Sequence, residues 1–87
     1  MEIYMLTIIK ETRDEQTEIE TTLYANPEDA IEAYNKAFNE AQEEAKEYGR
    51  AWIDDEIATN TPYRWCQICD LDGWDCITIE LEAQEVM

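Results

Sequence analysis

The spacing of the apolar residues changes twice along this chain, and that change limits what it can fold into. From Ile3 to Lys10, strand formers fill both alternating sets of positions: Ile3, Met5 and Ile9 on one, Tyr4, Leu6 and Ile8 on the other. Apolar character on both faces marks a central strand, or one whose second face is covered. The polar stretch Glu11–Gln16 reads as a hairpin loop, and a second strand is expected over about Thr17–Tyr24. There Glu18, Glu20 and Thr22 alternate with Ile19, Thr21 and Leu23. This is the pattern of a half-buried strand with an acidic outer face.

At Asn26-Pro27-Glu28-Asp29 the period becomes helical. Asn suits the N-cap, Pro the first helical position, and the two acids sit where the helix dipole favours negative charge. Ala30, Ile31, Tyr34, Ala37, Phe38, Ala41, Ala45 and Tyr48 then recur at three- and four-residue intervals as one apolar stripe. Gly49 is the expected stop, with Lys46 and Arg50 at the negative end of the dipole. Such a helix is roughly 33 Å long, the full span of a domain this size.

Arg50–Asn60 admits two readings, since Trp52, Ile53 and Ile57 fit either a continuation of the helix or a short second one. Asp54-Asp55-Glu56 would be badly placed at the C-terminal end of one long helix, which favours a break near Gly49. Beyond the Thr59–Pro62 loop, Tyr63–Asp70 and Trp74–Leu81 form a hairpin about Asp72-Gly73, a strong turn signal. A two-residue turn there pairs Cys69 with Cys76, Ile68 with Ile77 and Cys66 with Ile79. Cys66, Ile68, Ile77, Ile79 and Leu81 then face a core, and Trp65, Gln67, Cys69, Cys76, Thr78 and Glu80 face away. The expectation is a single α+β domain over residues 1–87. Its antiparallel sheet follows ββαββ order, with one long helix packed across one face and room for a short second helix.

Charge narrows the function. Against 22 Asp plus Glu stand 6 Lys plus Arg and no His, a formal charge of −16. A chain this acidic will not bind a nucleic acid backbone or an anionic membrane through its general field. It also lacks the usual general base near neutral pH. No segment approaches the roughly 20 apolar residues of a membrane span, and no basic segment precedes Ile3–Ile9 to make a signal peptide. A cytoplasmic protein is expected. Because 45% of residues are apolar and periodic, the chain reads as folded rather than disordered, but marginal in stability.

Motifs for chemistry are weak. Trp65-Cys66-Gln67-Ile68-Cys69 contains a C-x-x-C, yet redox chemistry of the thioredoxin type needs the first Cys at a helix N-terminus. Cys66, Cys69 and Cys76 are too few for a tetrahedral zinc site without His, and Cys66 falls on the opposite face. A Cys69–Cys76 disulfide is not expected. Two steps from a two-residue turn the pair is hydrogen-bonded, with Cα atoms about 5.5 Å apart. Three free thiols packed as small hydrophobes are expected instead. Asp70–Asp75 resembles a calcium loop only superficially, since its twelfth position is Leu81 and its flanks are strands. No nucleophile–base pair is visible, and neither catalysis nor a cofactor is expected.

The acidic surface remains. Asp29, Glu32, Glu40, Glu43 and Glu47 lie opposite the apolar stripe, interrupted by Lys36, as a ridge of carboxylates about 6 Å apart. Asp54, Asp55 and Glu56 are expected to continue it past the helix end, and Glu18 and Glu20 to add an acidic strand face. In pitch and sign the row resembles a run of backbone phosphates.

In charge, length and fold class the whole chain resembles the small acidic phage-encoded anti-defence proteins, the anti-CRISPR and anti-restriction inhibitors, several of which mimic nucleic acid. The resemblance implies a non-enzymatic inhibitor that occupies the basic nucleic-acid groove of a nuclease complex in a bacterial host. It carries no diagnostic motif and assigns no residue. The competing expectation is a small homodimeric interaction module. One helix cannot cover both faces of a sheet, so either Arg50–Asn60 folds over the second face or another subunit does. Trp65, Leu71 and Trp74 would then contribute an apolar contact surface.

Overall fold

The computed structural model describes residues 2–11, 17–47, 51–57, 62–70 and 76–85. In chain order the elements are β1 (Glu2–Glu11), β2 (Glu18–Tyr24), α1 (Pro27–Glu47), β3 (Ala51–Ile57), β4 (Arg64–Asp70) and β5 (Cys76–Glu85). All five strands join one antiparallel sheet in the order β2-β1-β5-β4-β3. The class is α+β, but the order is ββαβββ.

This corrects the expected ββαββ order and its short second helix. Ala51–Ile57 is an edge strand paired along its length with β4, from Ala51 beside Asp70 to Ile57 beside Arg64. The segment itself permits a strand. Trp and β-branched Ile favour a pleated surface, and three consecutive acids at a helix C-terminus would oppose the dipole. The strand also gives the outer edge of β4 a hydrogen-bonding partner.

β1 is central because it pairs on both sides, with β2 and along ten residues with β5. That position accounts for its two apolar faces. Even-numbered β1 residues share a face with Cys66 and Ile68 of β4 and with Ile77, Ile79 and Leu81 of β5. α1 packs over this face, against β5, β1 and β4, and reaches the near end of β2.

α1 starts where its sequence directs. The Glu28 N–H donates to Asn26 Oδ1 at 2.8 Å, and the Ala30 N–H to the Asn26 carbonyl at 3.2 Å. The first satisfies an orphan donor of the first turn, Pro27 has no N–H to satisfy, and the second is the helix's first i→i−4 bond. The core joins Leu6, Ala30, Tyr34, Ala41, Cys66, Ile68, Ile79 and Leu81. Fully burying a Leu or Ile side chain contributes about 1.5–3 kcal/mol. Ala30 and Ala41 let the helix ride close to the sheet, while Tyr34 and Phe38, one turn apart, stack at 6.4 Å. The expected stop at Gly49, the loops 12–16 and 59–61, and the Asp72-Gly73 turn lie outside the described residues.

β2 corrects another expectation. Its acidic row, Glu18 and Glu20, shares the helix side of the sheet with Leu6 and Ile8, because Glu20 stands opposite Ile8. Ile19 and Leu23 point to the other side and are 67% and 59% exposed. The helix covers Tyr24 but not the rest of this edge strand.

Candidate functional site: an acidic helix layer

The exposed face of α1 carries Asp29, Glu32, Glu40 and Glu43, all solvent-exposed, with Lys36 exposed between them. At about 1.5 Å per residue, Asp29 to Glu43 spans roughly 21 Å. Glu47 ends the same helix, its side chain outside the described ones. Cationic partners are few: Glu32, Lys36 and Glu40 are one turn apart in series, whereas Glu40 and Glu44 set like charges one turn apart.

The predicted extension past the helix end does not form. Asp54, Asp55 and Glu56 belong to β3, at the edge of the sheet farthest from β2. In register Asp55 stands beside Cys66, Asp54 beside Gln67 and Glu56 beside Trp65. An edge strand there is not a continuation of α1, so these three do not extend the row of helix acids.

Sequence reasoning missed a different association. Between α1 and the sheet runs a groove of about 150 Å³ with an apolar floor that includes Ile8, Ala41 and Ile77, and with Lys10, Glu20, Glu40 and Glu44 on its walls. It brings the acidic row of β2 onto the same layer as the helix carboxylates. The signal was the alternation Glu18-Ile19-Glu20. Alternation says which residues share a face; it does not say which face the helix covers. Among the described residues, no group of three or more His, Cys, Asp or Glu is placed to hold a metal ion, and no helix is long and apolar enough to cross a membrane.

The cysteines also differ from expectation. The register pairs Cys69 with Cys76, and the two form a disulfide with Cα atoms 4.1 Å apart. That separation belongs to a close, non-hydrogen-bonded pair rather than the roughly 5.5 Å pair inferred by counting from a two-residue turn. Cys66 lies on the opposite, core face and is fully buried. On the disulfide's face, the Gln67 side-chain amide donates to Thr78 Oγ1 at 3.2 Å. Trp65 is half-buried, and Leu71 and Trp74 lie outside the described residues.

No protein-family model, no curated protein and no solved structure matches this chain.

Proposed function

We propose that this protein is a non-enzymatic inhibitor that occupies the basic nucleic-acid groove of a bacterial nuclease complex, of CRISPR-effector or restriction type, by mimicking nucleic acid. The supporting observation is the concentration of exposed carboxylates on one layer: Asp29, Glu32, Glu40 and Glu43 on α1, with Glu18 and Glu20 of β2 beside them. A rigid helix holds the charges at fixed pitch, so little ordering entropy is lost when a partner engages them. A net −16 steers the chain toward a cationic cleft from a distance. The setting is the cytoplasm, where such complexes act.

The test is capture from bacterial lysate with this protein as bait, at about 50 and about 500 mM salt, which shortens the screening length from about 14 to about 4 Å. The reading expects a basic nucleic-acid-binding complex that is recovered at low salt, lost at high salt and displaced by added DNA or RNA. A partner held equally at both salts and indifferent to nucleic acid would sink it.

A further inference from the structure

Cys69 and Cys76 stand opposite each other because the β4–β5 ladder holds them there, so the strands keep the two sulfurs close whether or not they are bonded. Groups positioned in this way react at effective concentrations far above those of any dissolved thiol. The bond also has a mechanical place. In the order β2-β1-β5-β4-β3 the outer strands β4 and β3 join the rest of the sheet through β5. The disulfide ties β4 to β5 across that seam.

The two sulfurs are not equally open. Cys69 is 1% exposed, on a strand flanked by β5 and, at the register position of Trp52, by β3. Cys76 is half-buried. It begins β5 and stands beside Glu11, the exposed last residue of β1. Displacement at sulfur is in line, with the incoming thiolate approaching opposite the sulfur that leaves. Attack on Cys69 must therefore come from the β3 side, where the residue is covered. Attack on Cys76 comes from the β1 side, over an exposed strand end. Cys66, fully buried on the opposite face, is shielded from both.

We propose that Cys76 is the reactive thiol of a redox pair that exchanges with low-molecular-weight disulfides, RSSR, and that Cys69 is the thiol that resolves the product. Starting from the dithiol, the Cys76 thiolate attacks RSSR. The RS–SR bond breaks, one RS⁻ leaves, and Cys76 carries a mixed disulfide with SR. The Cys69 thiolate then attacks Cys76 Sγ, the bond to SR breaks, and the second RS⁻ leaves. Two electrons pass from the protein to RSSR, and the two protons of the thiols leave with two RSH. The reverse begins with RS⁻ on Cys76. In a reducing cytoplasm the pair rests as the dithiol, and a rise in disulfide closes it, tying β4 and β3 to β5. The site stands apart from the mimicry proposed above and does not rest on it.

The probe that tests this is 2-hydroxyethyl disulfide, which is neutral and so escapes the repulsion that a charge of −16 imposes on anionic disulfides. The reduced full chain is treated at about pH 8, quenched with acid at intervals, and read by intact mass and peptide mapping. The native chain should pass through a single adduct to the Cys69–Cys76 disulfide, whereas Cys69→Ser should stop at an adduct on Cys76. Cys76→Ser should react at Cys69 at least about tenfold more slowly than Cys69→Ser reacts at Cys76. In about 8 M urea the two variants should react alike, because cover and not the thiol itself sets the difference. A brief iodoacetamide pulse on the reduced native chain needs no variant, and it should label Cys76 ahead of Cys69 and Cys66. Equal labelling of Cys69 and Cys76, an adduct on the native chain that never closes, or a disulfide that about 5 mM 2-mercaptoethanol fails to open in the folded protein would each overturn the proposal.

Discussion

At the residue scale, the start of α1 is the clearest case of sequence dictating geometry. Asn26 is followed by Pro27 and two acids, and its side chain accepts the Glu28 N–H at 2.8 Å. Asn26→Ala removes that acceptor and should cost about 1 kcal/mol, read as a lower urea midpoint with unchanged slope. The cysteines show the limit of such reading. The Cys69–Cys76 register was legible by counting outward from Asp72-Gly73, but the class of pair was not. Hydrogen bonding alternates along a hairpin, and it depends on the turn's true length as well as on its location. The disulfide closes a loop with a sequence separation of seven. Reduction, or Cys69→Ser/Cys76→Ser, should therefore lower the unfolding free energy by about 2 kcal/mol, checked by urea titration with and without reductant. In a reducing cytoplasm the pair would be held as the dithiol, and the fold would rest on the core alone.

At the scale of elements, α1 and the strand pairs near it in sequence were readable, because each carries a period and a stop signal of its own. β3 was not. Trp52, Ile53 and Ile57 satisfy a helical spacing as well as a strand's, and Asp55 between Ile53 and Ile57 interrupts the alternation that would have marked period two. What decides for a strand is the open edge of β4, a partner brought by the tertiary fold and absent from the local sequence. The β1–β5 pairing joins the two ends of the chain, and no local pattern announces a contact of that range. The helix itself carries repulsion that serves no fold. Glu40 and Glu44 are like charges one turn apart near the negative end of the dipole. Glu44→Lys should stabilise the protein by about 0.5 kcal/mol, measured by chemical denaturation at low salt.

At the scale of the molecule, the fold sorts the surface into two sides that alternation alone could not assign. The helix layer gathers the carboxylates of α1 and β2, while the far face of β1 and β2 is apolar. The acidic ridge was legible in part: Asp29, Glu32, Glu40 and Glu43 lie together as their spacing requires, but Asp54, Asp55 and Glu56 belong to a distant edge strand. A net −16 on 87 residues sets self-repulsion against a small core. Raising salt from about 20 to about 300 mM should raise the thermal midpoint by several degrees, followed by circular dichroism, until screening saturates.

If the protein acts by mimicry as proposed, function resides on the acidic helix layer. Its most direct test compares three baits in one capture from bacterial lysate at about 50 mM salt, where charge is weakly screened: the native chain, Glu32→Lys/Glu40→Lys/Glu43→Lys, and Ile19→Lys/Leu23→Lys. The helix variant, still folded by circular dichroism, should lose the partner at least about tenfold, because each reversed charge repels the cationic cleft. The sheet variant should still bring the partner down. Undiminished recovery by the helix variant, with loss confined to the sheet variant, would contradict it.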